Sequence, residues 1–81
     1  MHPNHNYKLT LKWTGNKGTG TSSYRSYDRN HDILIDNKIT IKGSADPTFH
    51  GDKTAHNPED LLLASLSACH MMSYLHVCVK N

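Results

Sequence analysis

Asn57-Pro58-Glu59-Asp60-Leu61-Leu62-Leu63-Ala64-Ser65-Leu66-Ser67-Ala68-Cys69-His70 is the stretch whose reading decides the fold. Asparagine is a good N-cap, proline suits the first helical position, and Glu59 and Asp60 place negative charge at the positive end of the helix macrodipole. Beyond them, up to Val79, no residue carries a permanent charge. The pattern predicts a helix over 58–79, a rod of roughly 33 Å at about 1.5 Å per residue. Cys69 then lies in its third or fourth turn, well below the acidic entry. A helix apolar on most of its faces needs covering on most of its faces.

Outward from the helix the chain changes character. Residues 1–57 are polar and broken by turn formers. Tyr7-Lys8-Leu9-Thr10-Leu11-Lys12-Trp13-Thr14 alternates, with Tyr7, Leu9, Leu11 and Trp13 on one face, which predicts a half-buried strand. Gly15 to Gly18 reads as a turn, and residues 19–28 as a second strand paired with the first. A third strand is expected over 32–36, a turn at Asp36-Asn37-Lys38, and a fourth strand over 39–42. Gly43 to His56 reads as a loop leading into the helix. The order is an antiparallel meander of strands over about 6–42 followed by one long helix, an α+β arrangement in a single domain spanning 1–81. These few short strands cannot cover the helix, so the chain is expected to form half of a larger domain or one subunit of an intertwined oligomer.

The 81 residues fall near the low end of self-sufficient domain size. A net charge of +2, with the basic residues dispersed, gives no footprint for nucleic acid. The first twelve residues are polar, so no secretory signal is expected. The expected compartment is the cytoplasm, where two cysteines are reduced, reactive or packed rather than bridged. Residues 61–79 approach the length of a membrane span, and a span there would be a tail anchor. Three serines, two histidines and two cysteines make that costly, and aromatic and basic flanks are weak, so no membrane partner is expected.

Cys69 has two readings. Free cysteine is among the most buried residue types and packs as a small hydrophobe. As a reactive thiolate it would need a nearby cation and a pocket that admits substrate while excluding most water. Glu59, ten residues earlier, is nearly three turns away and cannot touch Cys69 within one helix. Its role would be to orient an arginine. Arg25 and Arg29 are the only arginines, and on a regular strand both would project from one face. They also read as ordinary solvated surface residues. Cys78 cannot bridge Cys69, since nine helical residues rise about 13.5 Å and bridged Cα atoms lie within about 7 Å. It is expected to pack, or to meet another chain. The seven histidines lack metal-ligand spacing: His70 and His76 sit about 120° apart on the helix, and no metal or other cofactor is expected.

Gly43-Ser44-Ala45-Asp46-Pro47-Thr48-Phe49-His50-Gly51-Asp52 and the stretch from Asn57 to Met71 together resemble the OsmC/Ohr family, the osmotically inducible protein C and organic hydroperoxide resistance proteins. The resemblance runs from about Leu9 to Cys78 and corresponds to the N-terminal half of that family's fold. It implies an antiparallel sheet, a long central helix, and an intertwined homodimer with active sites at the interface. It implies that Cys69 is a peroxidatic thiolate, oxidised to a sulfenic acid by an organic hydroperoxide, with a dithiol reductant closing the cycle. It implies that Glu59 holds the activating arginine, for which Arg29 is the first choice and Arg25 the second. The family's resolving cysteine lies beyond the segment that matches, and Cys78 cannot replace it within this helix. Leu62, Leu66, Met72 and the strand aromatics would line an apolar pocket. From another class, the alternative is a non-catalytic OsmC-like domain that oligomerises or serves a stress-associated binding role.

Overall fold

The helix stands almost where the sequence puts it. The computed structural model describes residues 5–81; His2, which the polar opening run leads one to expect in a frayed terminus, lies outside the described residues. Helix α1 spans Pro58–Lys80, and Asn57 caps it from an extended backbone (φ −94°, ψ 167°). The Asn57 side chain accepts from the Asp60 N–H at 2.8 Å, while the Asp60 carboxylate accepts from the Asn57 N–H at 3.3 Å. This reciprocal capping box satisfies two of the donors that a helix start leaves orphaned. Asn57→Ala should lower stability by about 1 kcal/mol. Thermal unfolding followed at 222 nm checks it; an unchanged midpoint would mean that water serves those donors equally well.

Three short strands precede the helix: β1 Thr10–Trp13, β2 His31–Leu34 and β3 Ile41–Gly43. They form an antiparallel sheet in the order β1-β2-β3. Thr10 pairs with Leu34 and Trp13 with His31 across the first ladder, and His31 pairs with Gly43 across the second. A Cβ at Gly43 would lie 2.4 Å from the His31 ring, so glycine lets that ring lie across the β3 backbone without shifting. The architecture is α+β, as the order of elements implies. The turn at 36–38 forms as expected, with Asn37 in the left-handed region (φ 66°) that asparagine tolerates.

The strand expected over 19–28 does not form. Residues 18–26 make turns and bends, and only Tyr27 makes a ladder contact, a single bridge to Asn16. Two causes are local. Gly18 and Gly20 adopt positive φ (108° and 58°), which takes the backbone out of the β region. The Ser26 hydroxyl accepts from the Ser23 N–H at 2.9 Å and donates to the Ser23 carbonyl at 2.8 Å. Such side-chain bonds offer the backbone an alternative to a ladder. β1 therefore pairs with β2 directly, and residues 14–30 form a long excursion between them.

The half-buried face expected for the first strand is not covered. Tyr7, Leu9 and Leu11 are exposed, and no hydrophobic residue is buried among the described residues. The reason lies in the helix. His56 is tied to β3 by its N–H to the Lys42 carbonyl (3.1 Å) and by its carbonyl to the Ser44 N–H (2.9 Å). Past that anchor only the cap Asn57 and Leu61 are half-buried, and every residue from Leu62 to Lys80 is exposed. The chain extends over 57 × 27 × 20 Å, with a radius of gyration of 17.3 Å against roughly 12 Å for a compact chain of this length. Its accessible surface of 7269 Å² likewise exceeds the roughly 4,900 Å² of a compact 9.1 kDa protein.

Candidate active site

The excursion 14–30 and the loop 43–56 meet through a polar knot. Ser44 is wholly buried. Its hydroxyl donates to the Asn30 side-chain oxygen at 3.0 Å and accepts from the Asp52 N–H at 3.0 Å. The Asn30 amide donates in turn to the Asp52 carboxylate at 3.2 Å, which closes the ring. Two Asx turns shape the loop: Asp46 accepts from the Thr48 N–H at 2.8 Å and Asp52 from the Thr54 N–H at 2.9 Å. The Asp46 bond to Thr48 holds that carboxyl below its ordinary value of 3.8. For Asp52 the Thr54 hydroxyl, then the Thr54 N–H, then Asn30 act in the same direction. Both turns therefore keep ionised acceptors at neutral pH.

Between the Asx turns the chain makes a short 3-10 helix, Pro47–Phe49, ended by His50 in the left-handed region (φ 63°). Gly51 follows, and a Cβ there would lie 1.6 Å from the Ala45 carbonyl oxygen, so the loop closes only on glycine. This tight return presents Thr48, Phe49 and His50 towards Tyr24 and Arg29. Together with Ala45 they line a cavity of about 370 Å³.

Arg29 is held in place from behind. Its Nη1 donates to the Tyr24 carbonyl at 2.6 Å and to the Tyr27 carbonyl at 2.8 Å. Its guanidinium carbon lies 3.9 Å from the Tyr27 ring centroid, a cation–π contact. Tyr27 is braced by Trp13, edge to face with centroids 5.8 Å apart, and Trp13 Nε1 donates to the Asp28 carbonyl at 2.9 Å. Arg25 does not share this setting. It lies exposed in a turn, so the expectation that both arginines project from one strand face falls with the strand itself.

The chain by itself does not bring the expected catalytic set together. Glu59 is exposed in the first turn of α1, and among the described residues the ion pairs are Lys17–Asp28 and Lys42–Asp32, so neither arginine meets it. Cys69 and Cys78 are both free and exposed. Leu62, Leu66 and Met72 are exposed as well, so the apolar pocket expected from them and the strand aromatics is not formed within one chain. The cause is again the helix, which leaves the sheet after its first turn. No group of three or more metal-ligating side chains occurs among the described residues.

Sequence reasoning singled out Arg29 but missed Tyr24, Thr48, Phe49 and His50 around it. The repeated Asp-x-Thr spacing, Asp46-Pro47-Thr48 and Asp52-Lys53-Thr54, was the available signal, since each predicts an Asx turn. No family model, curated protein or solved structure matches the chain.

Proposed function

We propose that this chain acts as a thiol peroxidase of the OsmC/Ohr type, working as a homodimer in the cytoplasm and reducing organic hydroperoxides to alcohols. The observation that carries this reading is α1: an acidic, capped entry, a free thiol at Cys69, and an apolar surface left bare on every side. A thiol so placed gains a water-poor pocket only when another surface closes over it, and a second copy offers one. Arg29, unlike the exposed Arg25, is fixed by two carbonyls and Tyr27, which supports it as the arginine that would serve the thiolate of an assembled site. Its permanent charge would stabilise the thiolate and polarise the peroxide. Glu59 would orient its fork by a charge-assisted pair.

In this reaction the Cys69 thiolate attacks the terminal peroxide oxygen. The O–O bond breaks, the alkoxide takes a proton to leave as alcohol, and the cysteine becomes a sulfenic acid. One thiol of a dithiol reductant attacks that sulfur and releases water. The second thiol then displaces Cys69, leaving the reductant as a disulfide and balancing the two electrons.

Loss of tert-butyl hydroperoxide in the presence of a dithiol tests the reading. The unaltered chain should consume the peroxide, Cys69→Ser should fall to the background rate, and Cys78→Ser should keep the first oxidation. Undiminished turnover in Cys69→Ser would overturn it. No turnover from a folded oligomer would favour the non-catalytic domain instead. One observation favours a further reading: α1 is long and apolar enough to cross a membrane. A chain that stays in solution without detergent excludes it.

A further inference from the structure

We propose that the cavity beside Arg29 binds a small planar aromatic carboxylate. Arg29 is half-buried as a residue, its Nη1 is committed to the Tyr24 and Tyr27 carbonyls, and no carboxylate pairs with it among the described residues. Guanidinium carries five N–H donors in one plane, so an edge is left to offer. A planar fork that is fixed and charged matches a carboxylate.

The walls select what is attached to that carboxylate. Tyr24 and His50 present nearly parallel rings, 15° apart in plane with centroids separated by 6.4 Å, and Phe49 adds a further aromatic side chain. Flat faces favour a flat ring, through stacked or edge contacts. The volume of about 370 Å³ lies near the lower end of small-molecule sites, which span about 300–1,000 Å³. The cleft is open, with Tyr24 and Phe49 exposed, and its volume accommodates a single ring. A phosphate ester would call for a second cation, and Arg25 is turned out into solvent instead. Binding here does not rest on peroxide chemistry, although an acid seated on Arg29 would compete with any role of that arginine at Cys69.

Calorimetric titration of the full chain with benzoate, without peroxide, tests the site. A dissociation constant on the order of 1 mM or tighter is expected for so small a ligand. Benzamide, which has the same shape without the charge, should bind at least about tenfold more weakly. Arg29→Lys, which keeps the charge and loses the fork, should weaken benzoate by about tenfold. Because Arg29 also ties down its own turn, the benzoate–benzamide comparison on the unaltered chain decides the matter. No heat from benzoate, or equal affinity for the two ligands, overturns the proposal. Benzoate binding undiminished by Arg29→Lys would place the ligand elsewhere and overturn it too.

Discussion

Sedimentation at micromolar concentration should find this chain as a dimer or larger assembly, and Leu66→Glu should weaken that association by at least about 100-fold. Leu66 is 61% exposed in the single chain and lies one turn before Cys69, with Leu62 one turn further back on the same stripe. Burying one leucine is worth about 1.5–3 kcal/mol, and about 2.7 kcal/mol corresponds to 100-fold in affinity. A carboxylate in its place adds the cost of desolvating a charge, which raises the penalty further. The surface in excess of a compact monomer, roughly 2,400 Å², is of the size that obligate interfaces bury. Lys53→Glu, on the exposed loop, is the matched control and should leave assembly unchanged. If Leu66→Glu assembled as tightly as the parent, the stripe that carries Cys69 would not be the covered one.

The second large effect is expected at Gly51. Gly51→Ala should lower the unfolding midpoint by about 12 °C or more, from a cost of about 3 kcal/mol in a domain of this size. The added Cβ would fall 1.6 Å from the Ala45 carbonyl oxygen and 2.2 Å from its carbon, both backbone atoms that no rotamer change can move. Gly18→Ala gives the comparison that isolates the cause. Gly18 has positive φ (108°) and nothing within 4 Å of its would-be Cβ, so only backbone strain of about 1–2 kcal/mol applies. Circular dichroism melts of the two variants separate clash from strain. A Gly51→Ala shift no greater than that of Gly18→Ala would mean that the 45–51 loop gives way freely.

The helix was legible because its signals are local. Asn57, Pro58, Glu59 and Asp60 act through bonds and charges within one turn, and those bonds form. The strand expected over 19–28 failed for an equally local reason that alternation conceals: Ser23 and Ser26 bond to each other's turn rather than to a neighbouring strand. The alternation of Leu9, Leu11 and Trp13 predicts a buried face, but spacing only marks which side a cover would occupy. Within one chain only Tyr27 meets Trp13 and nothing comes to cover Leu9 and Leu11, because α1 departs after Leu61. Arg29 could be singled out as one of two arginines, whereas its surroundings depend on a left-handed His50 and a glycine closure that join residues far apart in sequence. The knot of Asn30, Ser44 and Asp52 was hidden for the same reason.

Trp13 is the one tryptophan of the chain, and its indole N–H is tied to the Asp28 carbonyl while its ring meets Tyr27. Tyr27 in turn carries the guanidinium of Arg29. The protein thus holds an intrinsic optical probe a single ring away from its best-placed cation. Indole emission responds to the polarity around the ring and to the loss of a hydrogen-bond partner. Whatever seats or unseats Arg29, be it a second copy or a bound acid, can be followed through that emission without attaching a label.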